Sequence, residues 1–286
     1  MMKAYLLTVF SGEQAVGNPA GVVVLDDWLD TAALQQIARH LAQPVTTFVV
    51  YDESHGGSQY AVRWFSQQAE INLCGHGSLA AAAVLLEFGE QAPGDAGTET
   101  EVDADADVEP EAEAEANMVT LTSEHGTVIV RKDGPRYHMT LPGWQPNRLP
   151  DLKRYLKQIG LPVIDSFATR DLVLVAESPD VVRQFTPDMA VLAAIADYHA
   201  VILTAQDGRD SYVLRYFAPK IGIDEDIATG SAQCSLAPYW LEQLGRETLK
   251  VTQLSAKGGA FVVRQQGEGH ISLQVEVRLV SVLNLP

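Results

Sequence analysis

One order of elements occurs twice in this chain, and any fold must accommodate both copies. Alternation over residues 4–10 predicts a strand, and a turn-rich loop follows from Gly12 to Gly21. Val22 to Leu25 reads as a strand, and Asp30 or Thr31 can cap a helix to about Leu41. The β-branched and aromatic runs Pro44–Tyr51 and Gln59–Phe65 predict two more strands. A loop, Ser66 to Gly77, then leads into an Ala/Leu-rich helix from about Ser78 to Phe88. The second half repeats the plan. Leu172–Ala176 is a strand, Asp188–Ile195 a helical stretch, and Ala200–Ala205 and Ser211–Phe217 are strands about a turn. The loop 218–230 and a helix from about Ser231 to Leu244 follow. Arg63-Trp64-Phe65-Ser66 answers Arg215-Tyr216-Phe217-Ala218, and His76-Gly77-Ser78-Leu79-Ala80 answers Gln233-Cys234-Ser235-Leu236-Ala237.

The second helix of each copy is apolar on most sides, so it must be buried on most sides. A strongly curved sheet closing round it meets that demand. The expected fold is therefore α+β: two pseudo-symmetric units, each a curved, mostly antiparallel sheet or barrel around a central helix. Residues 1–145 are expected to form the first unit and 146–275 the second. The C-terminal strand, about 276–286, is expected to return to the first unit. Strands are also expected within Asn117–Arg131, Tyr137–Leu141, Ala260–Gln265 and Ile271–Val280. Two such units would face each other across a cleft walled by the two loop-to-helix junctions.

The formal charge of −17 is local. Ten acidic side chains and no Lys or Arg fall in residues 91–117, and the charge outside them is −7. This alternating Glu-Ala and Asp-Ala stretch cannot build a core and is read as a solvated insertion. With no basic stripe, nucleic acid is not an expected partner. The two cysteines, Cys74 and Cys234, make neither a metal-type pair nor a disulfide scaffold, which fits a reducing, cytoplasmic setting. No secretion signal is recognised at the N-terminus, and no segment reaches eighteen clean apolar residues, so a membrane is not expected either.

Chemistry concentrates at the two loop-to-helix junctions. Ile221 to Leu236 carries Asp224, Glu225 and Asp226, then the small-residue turn Ala228-Thr229-Gly230-Ser231, then an apolar helix. Ser231 can cap that helix, and free N–H groups at a helix start welcome an anion. A carboxylate held beside a bound acid can transfer a proton; equally, acidic residues and a Ser here can serve only the cap and the dipole. The first-half junction, Glu70 to Gly77, offers the N–H groups of Gly75 to Gly77 and a histidine, His76, that suits proton transfer, donation or packing. Asn18, in Gly17-Asn18-Pro19, can donate to a carboxylate or stabilise its own turn.

The segments GNPAGVV, CGHGSLA and EDIATGSA, with SAKGG later, together resemble the PhzF-like family of phenazine-biosynthesis-type isomerases, within the diaminopimelate-epimerase fold. The resemblance runs from Thr8 to about Gly259 and skips residues 91–117. It implies two similar α+β units with the active site between them, a small carboxylic-acid substrate, no metal or organic cofactor, and a homodimer as the assembly often met among relatives. Carried over, it places Asn18, His76, Asp226 and Ser231 at site positions. Gly75, His76, Gly230 and Ser231 would clamp the substrate carboxylate, with Gly77 and Thr229 in the same turns, and Asp226 would lie near the substrate. Asp226 and His76 are the expected catalytic groups.

The family's SETAF-type motif stands here as Pro44-Val45-Thr46-Thr47-Phe48, which puts Val45 where the proton-transferring glutamate would be. The epimerases of the wider fold use two cysteines; Cys74 matches one, and the other falls on Ile227. Three readings follow: a divergent isomerase in which Asp226, His76 or Cys74 moves the proton, a related lyase or epimerase, or a non-catalytic acid binder.

Overall fold

In the computed structural model, the described residues are 2–52, 58–88, 116–148 and 159–285. The expected insertion 91–117 falls almost wholly outside them. The chain separates into two compact units. The first comprises Met1–Val9, Pro19–Met139 and Val277–Pro286; the second, Phe10–Asn18 and Thr140–Glu276. Residues 10–18 thus count with the second unit, where sequence reading had them in the first.

The first unit is built on β1 (Lys3–Ser11), β2 (Asn18–Leu25), β3 (Thr46–Tyr51), β4 (Gln59–Phe65), short β5 (Glu70–Ile71), β6 (Met118–Ser123), β7 (Gly126–Asp133) and β8 (Arg136–Pro142). Their order is β1-β2-β3-β4-β6-β7-β8, and β1 also pairs with β15 (His270–Asn284), whose last residues belong to this unit. Helix α1 (Thr31–Leu41) is capped by Asp30, which accepts from the Ala33 N–H at 2.8 Å. Its buried face, Leu34, Ala38 and Leu41, packs with Val23, Phe48 and Phe65. Helix α2 (Gly75–Ala83) is buried all round from Gly77 to Ala83, as its apolar composition requires.

The second unit contains β9 (Asp165–Ala168), β10 (Leu172–Val175), β11 (Val201–Gln206), β12 (Ser211–Phe217), β13 (Thr248–Gln253), β14 (Gly259–Gln265) and the first part of β15. Their order is β15-β14-β13-β12-β11-β10-β9. Helices α3 (Pro179–Gln184) and α4 (Met189–Ala193) lie between β10 and β11, and α5 (Gln233–Leu244) lies between β12 and β13. Pro238 sits inside α5 and donates no N–H to Cys234 four residues back. The Cys234 carbonyl instead accepts the Trp144 N–H at 2.7 Å. A helix defect thereby becomes an anchor for the entering chain.

The repeat is explicit in strand direction. In the first unit β2–β3 is parallel, β3–β4 antiparallel, β4–β6 parallel and β6–β7 antiparallel. In the second, β10–β11, β11–β12, β12–β13 and β13–β14 run in the same sequence of directions. Each parallel pair needs a crossover, and helices supply it at equivalent places. The fold is α+β with two pseudo-symmetric units of this kind.

Candidate active site

In the second unit, the loop after β12 is fixed from both ends. Arg215 on β12 makes a two-pronged ion pair with Glu225, at 2.7 and 2.9 Å. The next residue, Asp226, donates its N–H to the Tyr216 carbonyl at 3.0 Å. Its carboxylate accepts from the Thr229 hydroxyl at 2.6 Å and from the Asn18 amide at 3.3 Å. The Asn18 amide also donates to the Ala228 carbonyl at 3.0 Å. Asn18 therefore serves the Asp226 turn rather than its own. Burial pushes the Asp226 carboxyl above the usual range, against hydrogen bonds from Thr229, the local backbone and Asn18. Buried Gln253 completes the frame, accepting the Thr229 N–H and donating to the Asp226 carbonyl, both at 2.8 Å.

A single 3₁₀ turn, Gly230–Ala232, precedes α5. Ser231 does not cap the helix, contrary to expectation: the residue at the cap is Ala232, with no side-chain bond. The Ser231 hydroxyl instead accepts from Arg170 at 3.3 Å. The first N–H groups of the turn have no partner within it. Gly230 sits in tight space: an added Cβ would lie 3.0 Å from the Phe10 ring and 3.2 Å from Leu273, so a side chain here would press on both. Phe10 itself has φ +67°, a conformation that favours glycine, and its ring lies tilted against Phe261 with centroids 4.6 Å apart. Its strained backbone sets the ring beneath the turn.

In the first unit, α2 starts at Gly75, three residues before its expected start, with Cys74 at the cap. The Gly77 N–H points at the Cys74 sulfur at 3.4 Å, and His76 Nδ1 lies 3.3 Å from that sulfur. Gly75 and His76 thus belong to the helix's first turn, where N–H groups face outward. Burial pushes the His76 ring down to about 4, so it is neutral near pH 7. Gly77 tolerates no side chain: a Cβ would come 2.6 Å from the Thr47 hydroxyl and 3.3 Å from Val45 Cγ1. Val45 is 1% exposed and packs on this turn. Beside it, the buried Thr47 hydroxyl and Trp64 indole N–H have no hydrogen-bond partner. The loop into this turn is braced like its counterpart: Arg63 on β4 pairs twice with Glu70 at 2.7 Å.

The structure thus brings Asn18, Asp226, Thr229, Gly230 and Ser231 together in one unit and Gly75, His76 and Gly77 together in the other. Sequence reading missed Arg170, Tyr216 and Gln253, which touch this set. Arg170 and Gln253 stand in unremarkable stretches, and only the pairing of strands brings them to the turn. Cys234 is core, and burial pushes its thiol up to about 11. Among the described residues no three of His, Cys, Asp and Glu group as metal ligands. No helix among them is long and apolar enough to cross a membrane.

A sheet about a buried helix, built twice and led each time by a glycine turn, defines the epimerase-like α+β class of fold. The family model described as phenazine biosynthesis-like protein (PhzC-PhzF) matches residues 7–281, and the chain belongs to that family. It is 40% identical to an uncharacterized isomerase of Vibrio cholerae, over 97% of this chain and 89% of that one. A crystal structure of a PhzC/PhzF protein from Clostridium difficile is 30% identical and covers both chains fully, with a TM-score of 0.84. A PhzF-family structure from Enterococcus faecalis is 31% identical with a TM-score of 0.82, covering 98% of this chain and 97% of that one.

Proposed function

We propose that this protein moves a proton on a small carboxylic acid. The acid's carboxylate takes backbone N–H groups of Gly230 and Ser231, with Thr229 and Asn18 shaping the turn. Gly75, His76 and Gly77 offer donors of the same kind at the start of α2. Asp226 is the proton carrier. What supports this role is a carboxylate whose burial favours the protonated form, fixed by Thr229 and Asn18 four residues before an N–H-bearing turn. His76, neutral near pH 7, exchanges a hydrogen bond with the substrate without adding charge. No metal or organic cofactor is invoked for this step, and the protein works in the cytoplasm as a homodimer.

A second reading has its own support: Val45 is a hydrocarbon at the aligned glutamate position and cannot accept a proton. On that reading the protein binds acids without turning them over. One experiment separates the two. The protein is incubated in deuterium oxide with cyclic and amino acids, and label at carbon is read by mass spectrometry. Exchange by the wild type, lost by about 10²-fold or more in Asp226→Asn with folding intact, supports the isomerase. Binding without exchange leaves the binder, and unchanged exchange in Asp226→Asn removes Asp226 as carrier.

A further inference from the structure

Arg170 lies in the bend between β9 and β10, on no motif, and the second unit spends a buried charge to hold it. Asp171 is fully buried and meets Arg170 twice, Nε at 3.2 Å and Nη2 at 2.9 Å. Burying a carboxylate is costly unless it is paired and hydrogen-bonded, and here the two bonds to Arg170 do both and hold the guanidinium in place. Nη2 continues to the Tyr216 hydroxyl at 3.2 Å and to the Ser231 hydroxyl at 3.3 Å. The Trp144 ring lies 5.3 Å from the guanidinium centre. Trp144 is itself anchored by the carbonyl that Pro238 leaves open in α5. The bend cannot swing, because Thr169 N–H donates to the Asp171 carbonyl at 3.0 Å and His199 N–H to the Arg170 carbonyl at 3.1 Å. The guanidinium is therefore set in advance, while its side chain stays 38% exposed. Nη1 has no hydrogen-bond partner among the described residues.

We propose that Arg170 is the specificity-determining residue that makes this site choose carboxylates over their neutral isosteres. Nη1 donates to one oxygen of the bound carboxylate, while the Gly230 and Ser231 N–H groups donate to the other. Backbone N–H groups alone bind an amide carbonyl nearly as readily as a carboxylate oxygen. A charged, oriented guanidinium strengthens only the ionised ligand. Because the fork is already held by Asp171, Tyr216 and Trp144, binding costs little side-chain freedom. This inference rests on the acid-binding reading above and names the residue that sets its selectivity.

The test is calorimetry on the whole chain with two probes of one shape, benzoate and benzamide; cyclohex-1-enecarboxylate and L-proline are titrated as further acids. The wild type is expected to prefer benzoate by about tenfold or more. The variant Arg170→Met with Asp171→Asn removes both charges together, which leaves no buried ion unpaired. It is expected to bind the two probes within about twofold of each other. Arg170→Lys keeps charge but loses the fork, and its preference should fall between; if the double variant does not fold, this value decides. A full benzoate preference in the folded variants overturns the role of Arg170 while leaving acid binding intact. No binding of any acid by the wild type overturns acid binding itself, and this inference with it.

Discussion

Asp226 and His76 are both pushed by burial toward their uncharged forms, but the two shifts bear on stability in opposite directions. Folded, His76 holds its proton only below about 4, whereas the unfolded ring titrates near its usual 6.5. Between those values the unfolded state binds more protons, so the contribution is whole above about 6.5 and is lost as pH falls through about 4. Thermal melts across that interval should fall more steeply for the wild type than for His76→Gln. Parallel curves would show that the ring is not desolvated. For Asp226 the folded value is raised, so its contribution is present in acid and is lost as pH rises through that value. Sequence gave the identity of both residues through their turns, but not these surroundings. A histidine two residues from a cysteine is legible as a candidate; the 3.3 Å contact between them is not. Ser231 shows the reverse case, since a serine before an apolar run reads as a cap until an arginine sixty-one residues away claims its hydroxyl.

At the level of elements, the recurring arginine–aromatic–phenylalanine tripeptide proves to be a brace. Arg63 and Arg215 occupy equivalent strands, and each clamps the glutamate of the loop that follows. Each guanidinium also lies over the Phe two residues on, at 5.2 and 4.9 Å. Arg215 and Glu225 are the more enclosed pair, with side chains 12% and 24% exposed. Arg215→Met should cost about 1–3 kcal/mol in urea unfolding, as for charge-assisted bonds shielded from water. Arg63→Met should cost about 1 kcal/mol or less, because its pair is more exposed. The opposite ranking would deny the Arg215 brace its structural weight. The tripeptides were visible in the sequence, whereas their glutamate partners were not, since nothing local says which carboxylate a strand residue will meet. β9 was missed because four residues are too short to show alternation, and α3 because six residues show less than two turns. Pro238 was expected to sit in a helix, but its service to Trp144 needed the coordinates.

For the whole molecule, the doubled order of elements was readable because both copies keep the same pattern of apolar runs, whereas the strand directions needed the coordinates. Nothing local in the sequence marks the transfer of Phe10–Asn18 to the second unit. That transfer is what carries Asn18 to Asp226. The first unit depends in turn on Val277–Pro286, where the Leu285 N–H meets the Met2 carbonyl at 2.8 Å beside the β1–β15 pairing. Deleting residues 277–286 should expose β1 along one edge and abolish cooperative melting of the first unit, as read by amide exchange. Protection of β1 and β2 equal to that of the full chain would show the strand to be dispensable. During synthesis, then, β1 can pair with β2 early, but its other neighbour, β15, is made long after it. The nascent protein carries an unfinished sheet throughout its synthesis, which makes it a natural client for whatever shields sticky edges near the exit tunnel.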